Sequence, residues 1–441
     1  MFNKIKLFFV NNRNFIRIVR YILISFGFLI ITWVIDYKYP DFKENLPGIF
    51  LLSSDVTSSF LSTLSGTFLT VTTFTFTTIL TVLGKYSDSF TPRIVQDFID
   101  KPNVLSLVGV YIGGFFYTVL ALFMVQNIDS KTPLLCGTIA IFYAIGAMIS
   151  FILFVRRVLK DIKASNVIEN VYEEAHVLVE EEAKKRKESE RFEKEDYLDE
   201  IKIYAYDTGF LYDIDSDDLL NNLKDIKCEL VIEKKIGEYV AKGMYIAKLY
   251  TYDKLDLDEE QKKEFLSKLS SLMLINVSIN DFKDYHHEIT NLVEIAMMAL
   301  SPGVNDPNTA IEAIRKISFL LGKLFSTKNC YVVLEENESA KIIYKGYTIK
   351  EELYNAYSQI IHYGKEDPMV SRAILNGLYL VYMASEKSVK SQIKEFMDYV
   401  YDICINSVQY DMDKEGLNII YRDFNINRDD QSDYDAIRED D

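Results

Sequence analysis

Residues 57–81 read TSSFLSTLSGTFLTVTTFTFTTILT. Fourteen of them are Ser or Thr, and none is charged. At about 1.5 Å per residue, the stretch is long enough to cross roughly 30 Å of hydrocarbon. A helix facing only lipid has no need of so many hydroxyls, whereas one lining water, an ion or other helices does. Thr63, Thr67, Thr70, Thr73, Thr77 and Thr81 recur at steps of three and four, which places them on one helical face. Leu61, Leu64, Phe68, Ile79 and Val82 fall largely off that face, while Thr72, Thr75 and Thr78 widen it.

Three readings of this face compete. Each hydroxyl can bond to the carbonyl one turn back and so hide in lipid. It can bond to a neighbouring helix. Or a ring of such helices can line a pore with neutral oxygens. No Asp, Glu, Lys, Arg or His interrupts the stretch, which disfavours a proton-coupled pump and suits passive permeation. One such helix cannot enclose a conduit, so a pore requires a homo-oligomer about a cyclic axis.

Working outward, apolar stretches near 18–36, 57–84, 104–125 and 133–155 read as four spans. Lys4, Lys6, Arg13, Arg17 and Arg20 precede the first, Lys85, Arg93 and Lys101 follow the second, and Arg156, Arg157, Lys160 and Lys163 follow the fourth. The other two loops hold only Lys38, Lys43 and Lys131, so both termini are expected in the cytoplasm. The basic N-terminus lacks a small-residue cleavage site and reads as an uncleaved anchor. Asp41, Glu44 and Asp55 would place negative charge at the outer mouth of the second span, or simply belong to a solvated loop. Gly109, Gly113 and Gly114 in the third span suit close helix packing. In the inner loop, Thr91–Pro92 predicts the start of a short helix, a gate element or only a bracket.

Residues 1–163 carry a net charge of +6 and residues 164–441 a net of −22, which marks a membrane part and an acidic soluble part. An acidic body repels nucleic-acid phosphates, so no such partner is expected. Cys136, Cys228, Cys330 and Cys404 form no CxxC pair and read as free thiols in a reducing compartment. His176, His286, His287 and His362 include no HExxH, and no nucleophile–base pair or Gly-rich phosphate loop is visible. Neither an enzyme nor a metal or cofactor is expected.

The soluble part divides into a charged stalk helix at 156–198, a small β-barrel-like module at 199–252, an α+β and helical domain at 253–425, and an acidic disordered tail at 426–441. Within the stalk, KKRKESERFEKED (184–196) reads as a solvated charge run. The module is expected from strand alternation around the Asp207-Thr208-Gly209, Gly237 and Gly243 turns, with Ser216 capping a short helix. Its hairpin is similar to those of lipoyl and biotinyl carriers, but no Lys stands at the tip. SPGVNDPNTA (301–310) has a mechanical reading: Pro302 and Gly303 stop one helix, Asn305 takes a left-handed turn, and Asp306 caps the next with Pro307 at its first position. The alternative is a ligand loop of Ser301, Gly303, Asn305, Asp306, Asn308 and Thr309 at a helix start.

Four stretches together carry a resemblance: STLSGTFLTVTTFTFTTILTVLGKYSDSFTPRIVQDFI (62–99), GFLYDID (209–215), GEYVAKGMYIA (237–247) and SPGVNDPNTA. The chain resembles the bacterial predicted-membrane-protein family called domain of unknown function twenty-two fifty-four. It departs from that pattern at NDFKDYHHEIT (280–290), which lacks an acidic residue followed by Phe-Gly. The resemblance implies a bacterial inner-membrane location and supplies no activity. The expected architecture is therefore a membrane protein of four transmembrane α-helices plus a cytosolic α+β region with the barrel-like module and helical hairpins. The leading expectation is an oligomeric passive pore for inorganic ions in membrane lipid, tilted toward cations by the acidic loops. A membrane-anchored ligand sensor or scaffold is the alternative.

Overall fold

The computed structural model describes residues 13–39, 43, 46–89, 102–126, 128–129, 132–161, 164–189, 197–277 and 284–438. Asp41, Glu44 and the helix expected at Thr91–Pro92 lie outside them. The chain divides into two compact units, Met1–Val167 and Ile168–Asp441.

Among the described residues, the first unit holds four helices long and apolar enough to cross a membrane: α1 (Arg13–Lys38), α2 (Ser54–Ser89), α3 (Pro102–Val125) and α4 (Cys136–Asp161). α3 is the central element and packs on the other three. Its glycines make this approach feasible. A Cβ at Gly109 would lie 2.6 Å from the Tyr21 ring, and one at Gly113 would collide with Ser25 Oγ and lie 2.5 Å from the Tyr143 hydroxyl. These small residues act in packing within the chain, as their spacing suggests.

On the side of the unit where α2 and α4 begin, strands β1 (Leu52–Ser53) and β2 (Pro133–Leu134) pair antiparallel. Beside them Asp36, at the end of α1, accepts from the Leu135 and Cys136 N–H groups at 2.9 and 3.1 Å, satisfying free donors at the start of α4. Lys43 stands 3.8 Å from Asp36, and both side chains are buried. Its ammonium also donates to the Asp36 and Pro133 carbonyls.

The second unit contains most of α5 (Ala164–Glu188) and then a mixed region. Its strands are β3 (Asp199–Tyr204), β4 (Gly209–Ile214), β5 (Cys228–Ile232), β6 (Tyr239–Val240), β7 (Tyr245–Thr251), β8 (Met273–Asn276), β9 (Tyr331–Glu336) and β10 (Ala340–Lys345). They do not close into a barrel. One sheet has the order β3-β7-β5-β10-β9 and a second has the order β6-β4-β8. The sheet instead draws in a later hairpin at β5, where Cys228, Glu229, Leu230 and Ile232 are buried. β7 covers one edge antiparallel, and β10, far along the chain, covers the other in parallel with Leu230 opposite Ile342. Gly237 and Gly243 have φ of 83° and 84°, the left-handed values their turns require.

The remaining helices are α6 (Ser216–Leu223), α7 (Glu259–Ser271), α8 (Tyr285–Ala299), α9 (Pro307–Leu324), α10 (Ile349–Gly364), α11 (Pro368–Ala384), α12 (Lys390–Ser407) and α13 (Asp411–Arg438). α6 is capped by Asp215, one residue before the Ser216 expected for that role. α13 continues to Arg438, through most of the segment expected to be a disordered tail. α5 buries Ile168, Ala175, Val179 and Ala183 at helical spacing. Contacts to α9 accompany this face: Lys316 pairs with Glu169 at 2.6 Å and lies over the Tyr172 ring at 4.0 Å.

Candidate functional site

The candidate site is the hydroxyl face of α2. Ser54, Leu61, Phe68, Thr75 and Val82, each seven residues from the last, are buried and form the seam by which α2 packs against α3 and α4. Phe68 meets Tyr143 edge-on, with ring centroids 6.0 Å apart. Thr63, Thr67, Thr70, Thr73, Thr77 and Thr81 are all exposed, on the side away from that seam. Bonding to neighbouring helices of the same chain therefore does not account for these six.

Each of the six donates its hydroxyl hydrogen to the carbonyl four residues back: Thr63 to Ser59, Thr67 to Thr63, Thr70 to Gly66, Thr73 to Leu69, Thr77 to Thr73 and Thr81 to Thr77, at 2.9–3.0 Å. A hydroxyl has one donor hydrogen and two acceptor lone pairs. With these six hydrogens committed to the helix, the six hydroxyls turn only acceptor lone pairs outward. From Thr63 to Thr81 the band extends roughly 27 Å along the axis, close to the hydrocarbon thickness. Gly66 lies on the same side with nothing near its Cβ position. Asp55, in the first turn of α2, is exposed.

The 301–310 loop has the geometry of a helix-to-helix turn. Asn305 has φ of 48°, and the Asp306 carboxylate accepts from the Thr309 N–H at 3.2 Å and the Thr309 hydroxyl at 2.6 Å. Ser301 donates to the Met298 carbonyl, and the Val304 and Asn305 N–H groups return to the Ser301 carbonyl. Gly303, Asn305 and Asn308 are exposed. The polar atoms that would face a ligand at this helix start are thus mostly engaged in capping.

A further cluster had no sequence signal. Arg186, inside the run read as solvated, has a side chain only 1% exposed. Its Nε donates to Glu182 at 2.8 Å and its Nη2 to the Tyr285 hydroxyl at 2.7 Å. That hydroxyl donates to Glu352 Oε1 at 2.6 Å, and His286 Nδ1 lies 3.2 Å from Glu352 Oε2. Burial opposes the charge on Arg186, but Tyr285, Glu182 and Glu352 outweigh it and hold its pKa above the ordinary value. Burial and the Glu352 charge drive the Tyr285 phenol well above its usual range.

The family model described as Predicted membrane protein (DUF2254) matches residues 11–379, and the chain belongs to that family of membrane proteins. Among curated proteins it is similar to an uncharacterised protein of Mycobacterium bovis and to an uncharacterised protein of Mycobacterium tuberculosis strain H37Rv. Each is 23% identical over 184 residues, covering 42% of this chain and 35% of the relative. The match thus spans about a third of the length of those relatives. No solved structure matches the chain.

Proposed function

We propose that this protein is a bacterial inner-membrane oligomer that forms a passive path for cations, lined by Thr63, Thr67, Thr70, Thr73, Thr77 and Thr81. The supporting observation is the outward face of α2: six exposed hydroxyls, opposite the seam, with every hydrogen committed to the backbone. Oxygen lone pairs without free donors suit a partly dehydrated cation and not an anion. The same bonds let the face tolerate lipid during insertion. A cyclic arrangement of copies about an axis would bring these bands together and enclose water. Both termini and the acidic second unit lie in the cytoplasm in this reading, which the Lys and Arg distribution supports. The chain does no covalent chemistry, and its second unit assembles or gates the path. No specific contact favours the sensor reading, because the 301–310 loop explains itself as a cap.

Recording from purified protein in planar bilayers under a salt gradient tests this. The expected result is a cation-selective reversal potential that changes in Thr70→Val. Silence from a demonstrably intact reconstituted oligomer overturns it.

A further inference from the structure

The buried cluster at Glu352 joins three separate helices. Arg186 comes from the end of α5, Tyr285 and His286 from the start of α8, and Glu352 from the first turn of α10. The Glu352 carboxylate is 1% exposed and is shared by the Tyr285 hydroxyl, the His286 imidazole and, at 4.0 Å, the Arg186 guanidinium. Arg186 is seated tightly: a Cβ at Gly346 would come within 2.8 Å of its Nη2, and Asn329 Nδ2 donates to its carbonyl at 2.8 Å. Tyr347 stacks on His286 with centroids 3.9 Å apart.

We propose that this cluster is a proton-tightened latch: His286 in its charged form completes the bonds that hold the start of α8 on α10, and loss of that proton loosens the start of α8. The buried Glu352 carboxyl group has the Tyr285 hydroxyl and the His286 ring as close partners and one more distant cation, so removing the charge on the ring weakens its hold on α8.

The groups facing His286 are Glu352 from α10, Arg186 and Glu182 from α5, Asp284 and Tyr285 from its own segment, and Tyr347 from the loop before α10. Lys235 lies 5.5 Å from the Tyr347 ring centre, and its ammonium is held by the Lys345 and Gly346 carbonyls. Burial, and to a smaller degree the Arg186 charge, oppose the His286 charge, but the bond to Glu352, the Glu352 charge and Asp284 outweigh them, and the His286 pKa stands above its ordinary value. The sign is therefore fixed: protonation is favoured in the latched arrangement, so acid tightens the latch and rising pH loosens it.

The test is hydrogen exchange on full-length protein in detergent between about pH 6 and pH 9, corrected for intrinsic exchange and read on peptides covering residues 285–293. Protection is expected to fall on the order of tenfold as pH rises, the scale of one charge-assisted bond. In His286→Gln that dependence is lost, whereas in Glu395→Gln, which removes an exposed pair with Lys350, it is kept. Should His286→Gln not fold, the titration of the four histidines by NMR in the unaltered protein serves instead. His286 titrating above the usual value, with protection of the α8 start following the same midpoint, supports the latch. Protection independent of pH, or an unchanged dependence in His286→Gln, or a His286 midpoint at or below the ordinary value, overturns it.

Discussion

Gly114 of α3 and Phe68 of α2 touch with no space for a methyl group: a Cβ at Gly114 would stand 2.8 Å from the Phe68 ring. This contact fixes which side of α2 is turned inward, and so which side carries the exposed threonines. Gly114→Leu is expected to destabilise the membrane unit by about 1–3 kcal/mol through overpacking. Gly66→Ala, on the open face, is expected to be neutral or to stabilise by up to about 1 kcal/mol through helix propensity. Thermal unfolding in one detergent, comparing the two variants, reads the difference.

Asp36 is expected to matter more than its place at the end of an apolar run suggests. Asp36→Ala removes the acceptor for two N–H groups at the start of α4 and leaves the buried Lys43 ammonium with backbone carbonyls but no carboxylate. A loss of about 3 kcal/mol or more follows from breaking one partner of a buried pair. The double variant Asp36→Ala with Lys43→Met is expected to recover part of it, and the cycle of unfolding energies measures the coupling.

The Asp306 cap and a ligand site predict different outcomes. Asp306→Ala is expected to cost about 1 kcal/mol, and Asp306→Asn much less, because the amide oxygen still accepts from Thr309. Asn305→Gly is expected to be tolerated at φ of 48°, where Asn305→Val is strained. Melting temperatures check all four substitutions. Equal stability of Asp306→Ala and the parent protein contradicts the capping account.

Asp284 gives a pH dependence of definite sign. Burial raises its carboxyl to about 6, against the opposing His287 N–H bond and the nearby His286. The folded state therefore holds this proton more tightly than the unfolded chain, and the stability it contributes is present below about pH 4 and is lost as pH rises through about 6. The full span corresponds to roughly 3 kcal/mol as an upper bound. Asp284→Asn keeps an acceptor for His287 without the buried charge. It is expected to raise the melting temperature at pH 7 and to leave it nearly unchanged at pH 4, as scanning calorimetry would show.

The parts legible in the sequence were those whose causes are local. Span lengths, the period of the threonines, and the Asn305, Asp306 and Pro307 turn depend only on residues within a few positions of one another. What was not legible depended on distant partners. β5 is completed by β10, so alternation within 199–252 suggested a self-contained module where the chain builds a sheet with a later hairpin. Arg186 lies among exposed charges such as Lys184 and Glu188, and its burial is made tolerable by Glu182 together with Tyr285, 99 residues on, and Glu352. Asp36 and the Cys136 N–H it binds are 100 residues apart. On α2 itself threonines occur on both sides, and the packing of Phe68 and Leu61 decided that Thr75 would be buried and Thr70 exposed.

The hydroxyl face is tested most directly by placing single cysteines along α2 in a chain whose four native cysteines are replaced, and treating membranes with a water-soluble thiol reagent that does not enter lipid. The account predicts reaction at positions 63, 67, 70, 73, 77 and 81, through the full depth of the membrane, and protection at 61, 68, 75 and 82. Reaction confined to the ends of the helix, with 70 and 73 as inert as 68, would show the face to be dry and would contradict a water-filled path.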